Sequence, residues 1–341
     1  MRIFQGHTAP VTCVAFSRDG LHVLSGSEDM TVRRWEVATG NELRCFRGHQ
    51  GRLLAVSQAG QQVVSASVDR TVRTWNPETG QESAPAVQLH DAGVVGAVFS
   101  EDGSQALVWG YEHFRMRPAG VFDVINATRR GVTPPTEVPE PDPRTLSVRR
   151  YEEGEPREGW TAANGADEQY HAAAFTNAGP LVLGSVRVDD HHFRLHADAP
   201  SDVCAYAPFH TANSCRVVGA FSPSGTRLLL SCLSSDARGT DCCTLRLWNL
   251  TTPERLSHAF RGHTQVVTCV LFAPEEPRAL SGAEDNTVRL WDVDSGCQVD
   301  CFEGHSDSVT CLAFSPDSRR AISGGRDGTL HLWPMPALTP N

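Results

Sequence analysis

The sequence predicts an all-β chain assembled from repeated units of about 42 residues, and three observations carry that expectation. The first is a fixed spacing. His7 to Asp29, His263 to Asp285 and His305 to Asp327 each span 22 residues. Asp29 to Trp35, Asp69 to Trp75, Asp285 to Trp291 and Asp327 to Trp333 each span 6, while His7 to His49 and His263 to His305 each span 42. The second is alternation of apolar and polar residues in VTCVAF (11–16), VTCVLF (267–272) and VTCLAF (309–314), the period of a strand with one buried face. The third is punctuation: Gly, Ser, Asn and Asp cluster between these runs and mark turns.

The fullest copy runs from Gly262 to Gly296, GHTQVVTCVLFAPEEPRALSGAEDNTVRLWDVDSG. It holds a Gly-His pair, the Asp of a tight turn and the dipeptide Trp291-Asp292. Closely similar strings occupy 6–35, 48–75 and 304–333. These copies resemble WD40 repeats, closely over four copies and more weakly over the middle of the chain. The resemblance implies a seven-bladed β-propeller, four-stranded blades around a central channel. Seven such units fit within 341 residues and leave 47 for insertions.

In chain order, residues 1–5 alternate and stand where ELRCFRGH and CQVDCFEGH stand in later copies. They are expected to supply the outer strand of the last blade, because the segment after Trp333, PMPALTPN, has three prolines that lack ladder donors. That closure would hide a sheet edge. Blade one is placed at about 6–46 and blade two at about 48–88, the latter two residues shorter between His49 and Asp69. Blade three, about 90–150, is degenerate. Glu112 takes the turn-Asp position after His90, Pro118 stands where Trp is expected, and Phe122 is assigned the Trp role. A Pro-rich acidic insertion (131–143) and a polar stretch (151–168) with Trp160 follow. Blade four is placed at about 165–208, with His196 six residues after Asp190 and therefore in the place of Trp. Blade five (about 210–260) ends its third strand at Trp248. Blade six (about 262–303) and blade seven (about 304–334 plus 1–5) are the clean copies.

Acidic residues outnumber basic ones 40 to 30, a formal charge of −10, which disfavours a phosphate backbone as partner. Every basic residue is Arg. Of the eleven cysteines, five fall at matched repeat positions (Cys13, Cys269, Cys311; Cys45, Cys301) and two are adjacent as Cys242-Cys243, with no metal-type spacing. They read as small buried hydrophobes in a reducing compartment. No apolar run reaches membrane-spanning length, and no secretory leader is evident. A cytoplasmic protein without membrane contact is the expectation.

Each clean copy supplies the same four side chains: His7, Ser25, Asp29, Trp35; His49, Ser65, Asp69, Trp75; His263, Ser281, Asp285, Trp291; His305, Ser323, Asp327, Trp333. A Ser/His/Asp set invites a hydrolase reading. Four equivalent sets, none in a Gly-x-Ser-x-Gly elbow, argue against it. The resemblance implies instead a hydrogen-bonded chain within each blade, so no catalytic residue and no cofactor is assigned. Asp189, Asp190, His191, His192, His196 and Asp198 have metal-ligand chemistry. Neighbouring residues on a strand face opposite sides, so no metal is assigned there either.

Recognition is expected at the loops after each Gly-His and at the turns before each Asp. There the copies differ: Glu28, Glu284 and Arg326 precede the turn Asp, and Arg52, Asp91 and Asp307 follow the His. Trp160 is a further candidate anchor. The resulting expectation is a non-catalytic platform for a protein or peptide, monomeric or a subunit of a larger assembly. The alternatives are an enzyme or metal-binding propeller using the 131–168 loop with His191 and His196, and a regulatory module of a longer chain such as a kinase.

Overall fold

The computed structural model describes residues 1–88, 94–100, 105–112, 115–123, 128–129, 168–177, 179–187, 192–197, 209–210, 217–232, 243–249, 256–275 and 277–336. Alternation within each short run, broken by turn residues, makes hairpins. The chain opens with β1 (Arg2–Gln5) and then folds into successive antiparallel sheets. The first comprises β2 (Val11–Phe16), β3 (His22–Ser27), β4 (Thr31–Glu36) and β5 (Glu42–Arg47). The second comprises β6 (Leu53–Ala59), β7 (Gln62–Ser67), β8 (Thr71–Trp75) and β9 (Val87–Gln88). Then come β10 (Val94–Phe99), β11 (Gln105–Glu112), β12 (Arg115–Asp123) and β13 (Thr128–Arg129). The fourth is β14 (Glu168–Thr176), β15 (Gly179–Arg187), β16 (His192–Ala197) and β17 (Phe209–His210). The fifth is β18 (Val217–Phe221), β19 (Arg227–Cys232), β20 (Leu245–Asn249) and β21 (Leu256–Phe260). The sixth is β22 (Val267–Phe272), β23 (Arg278–Ala283), β24 (Thr287–Asp292) and β25 (Gln298–Glu303).

The last sheet joins β26 (Val309–Phe314), β27 (Arg320–Gly325) and β28 (Thr329–Pro334) to β1, in the order β1-β28-β27-β26. β1 pairs with β28 from Arg2↔Leu332 to Gln5↔Thr329. The N-terminal segment thus completes a sheet built by the opposite end of the sequence, and Phe4 from it is fully buried. The first strands lie against one another in turn, β2 on β6, β6 on β10, β10 on β14, β14 on β18, β18 on β22, β22 on β26, and β26 on β2. Each of these sheets is a propeller blade. No helix among the described residues is long and apolar enough to cross a membrane.

The core lies between blades. Val11, Val23 and Trp35 of blade one pack with Cys311, Ile322 and Leu330 of blade seven. Leu53, Val56 and Val63 of blade two pack with Leu24, Val32 and Phe46 of blade one. Because each blade buries its face on its neighbour, the repeats stabilise one another.

Two readings of the degenerate blades can be compared with backbone register. In blade one Phe16 pairs with Val23, and Val23 with Trp35. In blade three Phe99 pairs with Ala106, and Ala106 with Phe122, so Phe122 holds the Trp register. In blade four the assignment of His196 is corrected. His196 pairs with Gly184, whereas the hairpin's Phe175 pairs with Pro180, so His196 does not hold the Trp register. The β14–β15 hairpin extends past the bulge at Tyr170/Ala172 to Glu168↔Val186. With the hairpin so extended, six-residue spacing from Asp190 does not mark the Trp position.

Candidate functional site

The third strand of each clean copy ends in Trp because alternation places it on the buried face, beside the serine of the preceding strand. Trp35, Trp75 and Trp291 are 1–2% exposed and Trp333 3%. An indole N–H can only donate. Each donates to its serine Oγ: Trp35 to Ser25 at 2.8 Å, Trp75 to Ser65 at 2.8 Å, Trp291 to Ser281 at 2.7 Å, Trp333 to Ser323 at 2.9 Å. The same serines lie 2.7–2.8 Å from the Nε2 of His7, His49, His263 and His305. The Nδ1 of each ring lies 2.8–2.9 Å from Oδ2 of Asp29, Asp69, Asp285 or Asp327. An ionised carboxylate accepts only, so Nδ1–H donates to Asp, Ser O–H donates to Nε2, and the chain of donors runs Trp to Ser to His to Asp. The structure brings together all sixteen of these side chains in four sets of four.

A member of each set that the sequence reading passed over is a threonine two residues after the Asp. Thr31, Thr71, Thr287 and Thr329 donate through Oγ1 to Oδ1 of their Asp at 2.6, 2.7, 2.6 and 2.8 Å. The main-chain N–H groups of the same threonines donate to the same oxygen, and Thr8, Gln50, Thr264 and Ser306 donate theirs to Oδ2. The signal was available as Asp-x-Thr in all four copies. The Asp is thereby saturated and pins the Gly-His loop to the β3–β4 type of turn.

The electrostatics follow. Burial by itself would raise the Asp29 and Asp285 carboxyls, but the hydrogen bonds from His7 and Thr31, and from His263 and Thr287, together outweigh it and hold both well below the usual carboxylate range. Asp327, with burial again opposing and Thr329 and His305 prevailing, is lowered to about 2. Burial pushes the His49 and His305 imidazoles down, against the pull of Asp69 and Asp327. Burial thus favours the neutral form of these two rings.

These distances match those of a serine nucleophile with its base. Access differs. Ser25, Ser65, Ser281 and Ser323 are 0% exposed, and their hydroxyls are committed to Trp and His.

Four stretches, 1–36, 40–76, 254–292 and 296–334, match the family described as WD40, "WD domain, G-beta repeat". The chain thus carries four WD40 repeats. Among curated relatives, it is 30% identical over 119 residues to a guanine nucleotide-binding protein subunit beta of Oryza sativa subsp. japonica, covering 33% of this chain and 31% of that one. It is 38% identical over 56 residues to a dynein assembly factor with WD repeat domains 1 of Danio rerio, 16% of this chain and 14% of that one. With a WD repeat-containing protein 18 of Bos taurus it shares 49% over 43 residues, 13% and 10% of the two chains. The matches thus span about a third or less of the relatives' length.

Blade five keeps the Trp register, Leu228↔Trp248, but Leu230 stands where Ser25 stands in blade one. Trp248 Nε1 is buried without a hydrogen-bond partner for that reason. Outside three of the four tetrads lies an arginine opposite the serine: Arg33, Arg73 and Arg289. It meets Glu42, Glu82 (2.9 Å) or Gln298 of the outer strand. In blade seven the residue opposite Ser323 is His331, stacked on His305 at a ring-centroid distance of 4.0 Å. Burial and His305 push its imidazole down to about 4.

The variable loop positions sit beside these tetrads. Glu28, Arg52, Asp307 and Arg326 are exposed, and Glu284 is half-buried. Asp91, Trp160, the 131–143 and 151–167 stretches and His191 lie outside the described residues, so no grouping around His191 and His196 is assigned. Cys13 and Cys311 are buried, Cys269 half-buried, and all three are free thiols. Burial pushes Cys13 and Cys269 up to about 12, which keeps them unreactive near neutral pH.

Proposed function

We propose that this WD40 chain is a non-catalytic binding platform that recognises a protein or peptide through the loops after each Gly-His and the turns before each tetrad Asp. One observation carries the reading. Each of the four described Ser/His/Asp sets with the distances of a catalytic group is sealed beneath a Trp, while Glu28, Arg52, Asp307 and Arg326, one to three residues from the same Asp and His side chains, are exposed. A rigid scaffold with chemically diverse loops is suited to recognition. The curated relatives named as a guanine nucleotide-binding protein subunit beta and a dynein assembly factor are in keeping with it. A net charge of −10 favours a partner with basic groups over nucleic acid. Seven free cysteines among the described residues suit a reducing, cytoplasmic setting.

Two measurements test the proposal. Crosslinked partners captured from source cells by the full chain should be lost from a Glu28→Ala/Glu284→Ala variant that melts as the parent does. Retention of every partner would argue against this face. A fluorophosphonate probe should leave Ser25, Ser65, Ser281 and Ser323 unlabelled in the native protein. Labelling of any one would favour an enzyme.

A further inference from the structure

The four clean blades form an internal comparison. In blade one, the point where a Cβ on Gly6 would lie is 2.6 Å from Arg33 Nη1 and 2.9 Å from Glu42 Oε2. In blade six, the corresponding point on Gly262 is 2.6 Å from Arg289 Nη1 and 2.9 Å from Gln298 Oε1. In blade seven, the point on Gly304 is 2.9 Å from His331 Nδ1 and 3.0 Å from Met1 Sδ. A guanidinium and its oxygen acceptor have been exchanged, as a pair, for an imidazole and a thioether. Met1 stands there because β1 takes the outer-strand position that β5 and β25 take in their blades.

The neighbours of His331 fix its tautomer. Thr329 has one hydroxyl hydrogen and gives it to Asp327 Oδ1 at 2.8 Å. The contact of His331 Nε2 with Thr329 Oγ1 at 3.1 Å therefore has Nε2–H as donor. Nδ1 is left with a bare lone pair. His331 is 2% exposed, and Nδ1 is buried with no hydrogen-bond partner. A buried acceptor left unmade is costly, and this one shares the space over Gly304 with a second lone-pair donor.

We propose that His331 Nδ1 and Met1 Sδ ligate a soft monovalent metal cation, Cu(I), in the place that arginine fills in the sister blades. Thioether and imidazole donors together select a soft ion over magnesium, calcium or manganese. The sister blades show that a single positive charge is accommodated there: Arg33 Nη2 lies 4.0 Å from Asp29 Oδ2. Blade six shows that it is tolerated opposite a neutral partner, Gln298. In blade seven Asp327 supplies the same nearby carboxylate, its ligand oxygen within 4.8 Å of the His305 and His331 nitrogens. His305 is not a ligand, because Asp327 and Ser323 occupy both its nitrogens. The tetrad stays intact when the ion binds.

The test uses the full chain with ¹⁵N-labelled histidine, solvent-accessible thiols alkylated beforehand, and Ag(I) as a redox-inert probe. One equivalent of Ag(I) should move a single imidazole Nδ1 resonance and saturate there. His331→Arg restores the residue of the sister blades and should abolish that shift. His331→Gln should abolish it too, which guards against a folding defect in either variant. Replacing the four methionines by norleucine should weaken binding about tenfold or more, while Met30→Leu and Met335→Leu leave it unchanged. Silver held by thiols alone, a shift that survives His331→Arg, or full affinity in the norleucine protein would each overturn the proposal.

Discussion

Thr310, in the first strand of blade seven, donates its hydroxyl to the main-chain carbonyl of Val11, in the first strand of blade one. Thr268 makes the same bond to Val309, from blade six to blade seven. The two bonds tie neighbouring blades at the inner strands, one of them across the seam where the ends of the sequence meet. Thr310→Val keeps the side-chain shape and removes the donor, and should cost about 1 kcal/mol. Deleting residues 1–5 removes the fully buried Phe4 and the whole β1–β28 ladder, and Phe4 alone is worth about 3–5 kcal/mol. Thermal melts should show a small drop for the first variant and a large one for the second. An unchanged melt after deletion would contradict closure by β1.

Asp285→Ala should destabilise the chain by about 1–3 kcal/mol, because it strands four donors, the buried His263 ring among them. Those are His263 Nδ1, the N–H groups of Thr264 and Thr287, and Thr287 Oγ1. Asp285→Asn keeps the shape and part of the accepting capacity, and should fall between alanine and the parent. Urea titration measures both. Equal midpoints for all three proteins would remove Asp285 from the network.

The tetrads were legible because their spacing recurs: His, Ser, Asp and Trp reappear at fixed offsets in four copies, and the structure joins them in hydrogen bonds. Thr31, Thr71, Thr287 and Thr329 recur as regularly, yet threonine is so common on strands that the residue type alone does not mark a partner of the Asp. Phe122 could be placed by register because blade three lengthens its strands without losing the Phe99–Ala106 alignment. His196 could not, because spacing counts residues and the longer β14–β15 hairpin moves the partner strand. His331 departs from the pattern in one copy only, and its significance depends on Met1, which is adjacent in space through the seam and distant in sequence.

Acid should weaken the fold in two overlapping stages of the same sign. An unfolded chain titrates His near about 6.5 and Asp near about 3.9. The His49 pKa is lowered in the fold, first by burial. Below about pH 6.5 the unfolded state therefore takes up a proton that the folded state refuses, and stability falls. Asp29, Asp69 and Asp285 are also lowered, burial being outweighed by their donors. Their contribution is complete above about pH 4 and is lost as pH falls through the folded values. Urea midpoints should thus decline from pH 7 towards pH 3, with the steeper part below about 4. A flat or rising midpoint on acidification would refute the assignment.

Trp248 and Trp291 occupy one register but differ in their acceptors. Trp291 donates to Ser281, whereas Trp248 Nε1 has no partner because Leu230 replaces the serine. Substituting Phe removes similar apolar surface in both places, so the packing loss largely cancels in the comparison. In blade six the change also breaks the donor chain into His263. In blade five it removes a donor that was already unsatisfied. Trp291→Phe should therefore cost about 1–2 kcal/mol more than Trp248→Phe. Equal costs in chemical denaturation would mean that the Ser281 bond contributes nothing net.

The residue after each tetrad Asp takes a left-handed backbone: Met30 at φ 64°, Arg70 at 70°, Asn286 at 66° and Gly328 at 76°. The turn demands it, since the N–H of that residue returns to the carbonyl three positions earlier, as Met30 does to Ser27 at 3.2 Å. Asn and Gly enter this region readily, but Met pays about 1 kcal/mol or more for its Cβ. Met30 is exposed, so little packing is lost on shortening it. Glycine gives back part of the gain through the greater freedom of the unfolded chain, about 0.5–1 kcal/mol. Met30→Asn avoids most of that entropic loss and should raise stability by about 0.5–1 kcal/mol, with Met30→Gly nearer neutral. Gly328→Ala should move the opposite way, because its φ of 76° is closed to alanine and a Cβ there would meet the His7 carbonyl oxygen at 3.2 Å. Thermal melts of the three variants give the ordering, and a Met30→Asn protein less stable than the parent would show that Met30 is held by contacts rather than strained by its turn.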